Sequence, residues 1–372
     1  MKAKKLIWGL VIVAVVAVFG GRAWYLHKQA TTEKNVVKIG ALLPTSGFLM
    51  GEGQKIVNAL NMLTEKMNAT RKVKVKFEFE DDKFTAKDSI SAYRKLQSQG
   101  IDLYFVFGDL PGKAILSLAE EQKVPLFAIA ESTELNNSPV VVNISPSGHH
   151  WMDGISSFVN ETLKPQNVVI IFQKDIAHLE TTKLLQESFK KTVPVVNQEQ
   201  FDANAMEVRS IVSKALNYKP DVVIVTGFGS AYVAILNTLR EQGFTGPIVS
   251  DVNVSTIKQN IAKTPYPLYW VDTLFDDNSG IPEMDEFLTE YKTRFGEMPS
   301  TFTMMGYVGA QALINAIQTA EYKPMDIFDN IQQTKDLKTV LGPLTIDKSK
   351  WMKLPIVIKQ LQPDGTAKVI KE

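Results

Sequence analysis

The chain contains no cysteine, which excludes disulfides, a thiol nucleophile, thiolate-held metal and lipid attachment through a processed cysteine. Histidine is almost as scarce, with four in 372 residues. The adjacent pair His149 and His150 lacks the i, i+4 spacing that sets two ligands on one helical face, so no metal site is expected. Strong charge is also absent, the formal net charge being +1. Beyond residue 28 there are 36 basic and 40 acidic residues, interspersed along the chain, a balance that leaves no electrostatic footprint for nucleic acid. The sequence has no Walker motif and no GxSxG elbow, and Gly47-x3-Gly51-x-Gly53 is not the GxGxxG dinucleotide pattern. With no nucleophile–base pair in view, the expectation is no catalytic residue, no cofactor and no enzymatic activity. No period of about 20 to 50 residues recurs, so a solenoid is excluded.

Only one long apolar run is present. Lys2, Lys4 and Lys5 precede an uninterrupted stretch from Leu6 to Gly21, the charged and apolar regions of an export signal. Its length falls short of the roughly 20 residues of a spanning helix. Ala23 to Leu26 would extend it past Arg22, with Trp24 and Tyr25 suited to a membrane interface. Gly21-Arg22-Ala23 is a poor cleavage site, so residues 1–28 leave a cleaved signal and an uncleaved membrane anchor both open. Either way the expected location is periplasmic or otherwise extracytoplasmic.

The 337 residues after Asn35 exceed what one core holds comfortably and suit two units of ordinary size. Strands are expected at Val37–Leu43, Val73–Glu80, Leu103–Phe107, Leu126–Ala130, Val168–Phe172, Val222–Thr226, Ile248–Ser250 and Leu268–Val271. Between them Ile56, Ala59, Leu60, Leu63 and Met67 recur at helical spacing, as do Tyr232, Ile235, Leu236 and Leu239. Strands alternating with helices imply right-handed βαβ units and doubly wound parallel sheets. Two such sheets are expected, one from Val36 to about Asn143 and a second after Ser145-Pro146-Ser147-Gly148. A turn-rich break at 276–280 is followed by a helical block to about residue 321, and the tail from Gly342 reads as strands again.

The pieces IGALLPTSGFLMGEG, FEFEDDKFTAKDSISAYRKLQSQGIDLYFVFG, VPLFAIAESTEL, NISPSGHHWMDGI, DVVIVTGFGSAYVAILNTLREQGFTGPIVSD and VLGPLTIDKS occur in an order and spacing specific enough to identify a family. The chain resembles the type I periplasmic solute-binding proteins of ABC transporters, in particular the branched-chain amino acid-binding type, over nearly all of residues 36–361. The resemblance implies two doubly wound α/β lobes joined by a three-crossing hinge, with crossings near Asn143, Asp276 and Leu341. Lobe 1 would be 36–143 plus 276–340, and lobe 2 would be 144–275 plus 341–372. It further implies hinge closure around a small-molecule solute and delivery to an ABC permease or another inner-membrane partner. A membrane-tethered receptor of the same fold is the alternative.

Ligands in open α/β sheets sit outside the carboxyl ends of the strands. By position in the family motif, Glu131, Ser132 and Thr133 fall where the first lobe holds an amino acid's carboxylate, Phe228 falls where relatives carry an aromatic ring, and Met50, with Phe48 beside it, falls at another aromatic position. Two departures stand against an amino acid. The loop Gly108-Asp109-Leu110-Pro111-Gly112-Lys113 lacks the Ser/Thr cluster used for the α-carboxylate, and Asp109 there would repel an anion. Where relatives place an acid against the α-ammonium the register gives Val252, with Asp251 one residue away. Asp109, Glu131 and Asp251 around Phe48, Trp151 and Phe228 would suit an amine or other cation. Acids that merely cap helix starts are the competing account, and Trp151 fits either a cleft or a core beneath the hinge. The pair Asp81-Asp82 is expected to border the cleft or cap a helix.

Overall fold

The computed structural model describes residues 36–371 apart from 253, 255–256, 258–259, 262–266, 276–280 and 321–322. The export segment 1–28, the crossing near Asp276 and the turn at 276–280 lie outside the described residues. Among the described residues no helix is long and apolar enough to cross a membrane.

Two parallel sheets organise the chain. The first contains β1 (Val36–Leu43), β2 (Lys74–Asp81), β3 (Tyr104–Phe107), β4 (Leu126–Ile129) and β5 (Val141–Asn143), in the order β2-β1-β3-β4-β5 with every pair parallel. Its central strands β3 and β4 are apolar on both faces because both are covered, whereas the edge strand β2, KVKFEFED, alternates charged and apolar residues. Ile39, Ala41 and Leu43 enter one core cluster, while Leu42 turns to the other face among Tyr93, Tyr104 and Leu96. The connecting helices are α1 (Met50–Thr70), α2 (Ala86–Ser98), α3 (Asp109–Gln122) and the single turn α4 (Thr133–Asn136). The helical stripe Ile56, Ala59, Leu60, Leu63 and Met67 is the buried face of α1.

The second sheet repeats the plan. It contains β6 (Val168–Gln173), β7 (Val195–Phe201), β8 (Val222–Thr226), β9 (Ile248–Ser250) and β10 (Leu268–Thr273), parallel in the order β7-β6-β8-β9-β10. Antiparallel strands β14 (Ile356–Leu361) and β15 (Ala367–Lys371) extend it beyond β10. Its helices are α5 (Gly148–Phe158), continued by a π turn at Val159–Leu163, then α6 (Ile176–Phe189), α7 (Arg209–Leu216) and α8 (Gly229–Glu241). Short strands β11 (Leu337–Thr339), β12 (Gly342–Ile346) and β13 (Met352–Lys353) pair antiparallel beside the passage between the sheets, where Asn143 also bridges Trp351.

The expected strands at Val222–Thr226 and Ile248–Ser250 match residue for residue, and the other six differ by at most two residues at an end. Strands β5 and β7 were not expected. Both lie at sheet edges; β5 is buried but only three residues long, while β7 reads VVNQEQF with half-buried polar side chains and so lacks the apolar run that marks a covered strand. The late helical block comprises α9 (Pro282–Phe295), α10 (Thr301–Thr319) and α11 (Pro324–Ile331). Gly296, at φ +74°, terminates α9, and Ser300 starts α10 by accepting the Thr303 N–H. Helix α10 is buried along nearly all its length and packs on α1 and β4, so a helix late in sequence covers the sheet built first.

Asp272, at the end of β10, is 1% exposed and lies where the two halves meet. Its carboxylate accepts from Trp270 Nε1 (3.1 Å), the Thr273 N–H (2.8 Å) and Thr301 Oγ1 (2.9 Å), and pairs with Lys359 on β14 (3.3 Å). A charge this deeply buried is tolerated because each oxygen is satisfied, and the Thr301 contact ties the second sheet to the first residue of α10.

Candidate functional site

In both sheets the strand order reverses beside the first strand, between β1 and β3 and again between β6 and β8. Such a switch point opens a crevice at the carboxyl ends of the strands. The loops leaving β1, β3, β4, β6, β8 and β9 carry the side chains that gather there.

The loop after β1 is held by the acid at the end of β2. Asp81 accepts the N–H groups of Thr45 (3.0 Å) and Ser46 (3.2 Å) and the Ser46 hydroxyl (2.5 Å). Burial acts to raise its pKa, but these bonds and the Lys83 N–H outweigh it and hold the group low. The neighbouring Asp82 is fully buried, keeps one oxygen without a partner among the described residues, and is pushed by burial up to about 6. Gly53 permits α1 to start against this loop, since a Cβ there would lie 2.0 Å from the Pro44 carbonyl oxygen. Phe48 and Met50 are thereby displayed, 63% and 53% exposed.

Across the crevice Phe48 meets Phe228, from the loop after β8, with ring centroids 5.9 Å apart. Phe228 also lies 5.6 Å from the His178 ring. A second crossing contact joins Thr133, whose N–H donates to Glu180 Oε1 on α6 (3.1 Å) and whose hydroxyl donates to the same oxygen. The structure therefore holds the two halves together over this face.

A closed chain of hydrogen bonds organises the loops after β6, β8 and β9. The Phe228 N–H donates to Gln173 Oε1 (3.1 Å), and Gln173 Nε2 donates to Asp175 Oδ2 (2.6 Å). His178 Nδ1 donates to Asp175 (2.7 Å), its Nε2 faces Asp251 Oδ2 at 3.4 Å, and Asp251 Oδ1 accepts the Gly227 N–H (3.2 Å). Burial alone would lower the pKa of His178, but the two carboxylates prevail and push it up to about 10, making it an imidazolium at neutral pH. Asp175 is held low by the same pairing, against the opposing effect of burial.

Facing this chain are the acids of the first half. Asp109, the first residue of α3, accepts the N–H groups of Ser132 (2.8 Å) and Glu131 (3.2 Å) through one oxygen. Burial nevertheless raises its pKa. Glu131 is half-buried, and its carboxyl receives no hydrogen bond from a described residue. Burial, then the charges of Asp109 and Asp251, push it up to about 8, with His178 acting the other way and Asp175 adding to the rise.

The structure thus gathers Phe48, Asp109, Glu131, Thr133, Phe228 and Asp251 about one crevice. Ser132 is buried and spends its hydroxyl capping α4 at Leu135 N. Met50 stands on the rim, and Trp151, 7% exposed, packs in the main apolar core. Sequence reasoning assigns the side chains of Gln173, Asp175 and His178 no role. The available signal is Asp175-x-x-His178 at a helix start, a cap spacing that also carries two ring nitrogens. Among the described residues no group of three or more His, Asp or Glu side chains could hold a metal ion.

Comparison with known proteins agrees with this architecture. The Leu/Ile/Val-binding protein homolog 8 of Brucella abortus is 22% identical over 329 residues, 80% of each chain. The branched-chain amino acid substrate-binding protein LivJ of Streptococcus pneumoniae, solved with isoleucine, superposes with TM-score 0.77 at 22% identity, covering 91% of this chain and all of that one. An ABC transporter solute-binding protein of Rhodopseudomonas palustris, solved with 3,4-dihydroxybenzoic acid, gives TM-score 0.77 at 17% identity over 91% and 96% of the two chains. At such identities these structures speak to the fold. The family model described as periplasmic binding protein matches residues 36–357, and the chain belongs to that family.

Proposed function

We propose that this protein is the extracytoplasmic solute-binding component of an ABC transporter, closing two lobes around a small molecule and presenting it to a membrane permease. The observation that carries this reading is the meeting of two switch-point crevices face to face, with Phe48 against Phe228 and Thr133 against Glu180 across them. Binding needs only a higher affinity for the closed than for the open form. Solute binding, rather than turnover, is the activity of the family. In support of delivery, the Rhodopseudomonas protein is named as part of an ABC transporter and the Streptococcus protein as a transporter's substrate-binding protein. We further assign lobe 1 to 36–143 plus 276–340 and lobe 2 to 144–275 plus 341–372, a division supported by the two sheets and by α10 lying on the first.

A thermal-shift screen across amino acids, amides, amines and aromatic acids tests the reading, because a ligand of the folded state alone raises apparent stability. At least one small solute is expected to raise the Tm by several degrees at millimolar concentration; no shift with any class would overturn it. The second reading, a tethered receptor, rests on the poor cleavage site and on Trp24 and Tyr25 after the apolar run. Mass spectrometry of the mature N-terminus decides whether a tether remains.

A further inference from the structure

Among the described residues, the N–H groups at 131–133 and the carboxylate of Asp251 are already engaged by the chain itself. The backbone N–H groups of Glu131 and Ser132 donate to Asp109, and the N–H and hydroxyl of Thr133 donate to Glu180 from the opposite lobe. A ligand carboxylate at residues 131–133 would have to displace two protein carboxylates and would meet their repulsion. On the other side Asp251, the acid nearest the position where an ammonium would be held, is occupied by His178 and by the Gly227 N–H. The chain's own carboxylates and imidazolium stand where a zwitterion would.

One group is left over. The Glu131 carboxyl takes no hydrogen bond from a described residue, and the charged groups around it are Asp109, Asp251 and Asp175 against His178 alone. Glu180 and Lys113 lie further out, facing Asp109, and Lys113 is itself paired with Glu134 at 2.9 Å. Negative charge is in excess, so an incoming anion is repelled and an incoming cation relieves the repulsion. Beside these acids the rings of Phe48 and Phe228, one from each lobe, offer apolar faces of the kind that favour a cation's neighbourhood.

Resting on the solute-binding reading above, we propose that the solute is an organic cation without a carboxylate, an amine or amidine on an apolar body, whose charge pairs with Glu131 while its body rests against the paired rings of Phe48 and Phe228. Glu131, pushed up to about 8 in the empty cleft, is largely protonated at pH 7. Pairing with a cation lowers its pKa, so binding releases a proton to the buffer. The anionic and zwitterionic analogues of the same bodies gain no such partner.

The test is calorimetry and thermal shift on the full chain with phenethylamine and benzamidine, set against phenylacetate, benzoate, phenylalanine and leucine. The cations are expected to bind with release of up to one proton at pH 7, read from the dependence of heat on buffer ionisation enthalpy. Glu131→Gln should weaken them at least tenfold and abolish the proton release, while the Tm of the empty variant stays equal or rises, which separates lost recognition from lost folding. Binding of leucine, phenylalanine or benzoate as tight as that of the cations would overturn the proposal and leave solute binding intact. A wild-type chain that binds none of the six, yet shifts with another solute class, would also overturn it alone; no shift with any class would remove both.

Discussion

His178 shows how single residues set the chemistry of this cleft. Its ring separates Asp175 from Asp251, and each would otherwise face an unpaired negative charge inside a closed crevice. His178→Ala is expected to cost about 3 kcal/mol, near the lower end for removing one partner of a buried pair, measured by urea denaturation at pH 7. The pH dependence follows from the signs. His178 is raised from 6.5 to about 10 on folding, so its stabilisation is complete below about pH 6.5 and fades as the pH rises through 10. Glu131 is raised from 4.5 to about 8, so its ionisation opposes the fold increasingly between those values. Both push the same way. Stability should fall from pH 5 to pH 9, and Glu131→Gln should flatten the lower part of that slope; a profile rising across this range would contradict the assignment. The gathering of these acids and rings at one face was legible in the sequence, since Phe48, Asp109, Glu131, Phe228 and Asp251 all follow strand ends. Their occupancy was not. Nothing in spacing shows that Asp109 turns back onto the N–H groups of 131 and 132, or that His178 reaches an acid 73 residues further along.

Elements were legible wherever burial was two-sided. Central strands such as β8 and β9 are short apolar runs bounded by turn residues, and their limits emerge residue for residue. Edge strand β7 was lost because it is only half covered and its polar residues read as loop, and β5, though buried, because three residues are too short a run to mark a strand. The β1–α1 junction illustrates a constraint that periodicity cannot report. Gly53 sits inside the first turn of α1, where a glycine weakens a helix, yet the Pro44 carbonyl leaves no room for a Cβ. Gly53→Ala must therefore move the loop or the helix, and about 2–3 kcal/mol of destabilisation is expected, as for overpacking a closed site. Because that loop displays Phe48, solute affinity should fall beyond what the stability loss explains. Unchanged stability would show that the junction yields more easily than its geometry implies.

At the scale of the whole molecule the sheets share one strand order, β2-β1-β3-β4-β5 in the first and β7-β6-β8-β9-β10 in the second. This duplicated plan was legible because strand and helix alternate in both halves, whereas the closure of one half on the other depends on contacts between loops distant in sequence. Among the described residues, closure rests on few polar contacts over this face. Thr133 donates twice to Glu180, and hydrogen bonds to a charged acceptor contribute about 1.5–3 kcal/mol, enough to change an open-to-closed ratio by roughly tenfold or more. Removing the acceptor should therefore release the lobes without touching either core. The absence of cysteine makes the measurement direct, since Lys87→Cys on α2 and Lys183→Cys on α6, both exposed, give two unique labelling sites on opposite lobes. In that background Glu180→Ala is expected to shift the spin-label distance distribution of the solute-free protein toward longer separations, and saturating solute should restore the shorter one. A distribution indifferent to Glu180 would place the closing force elsewhere, on links such as the Phe48–Phe228 ring contact and the Thr301–Asp272 bond, which also join the two halves.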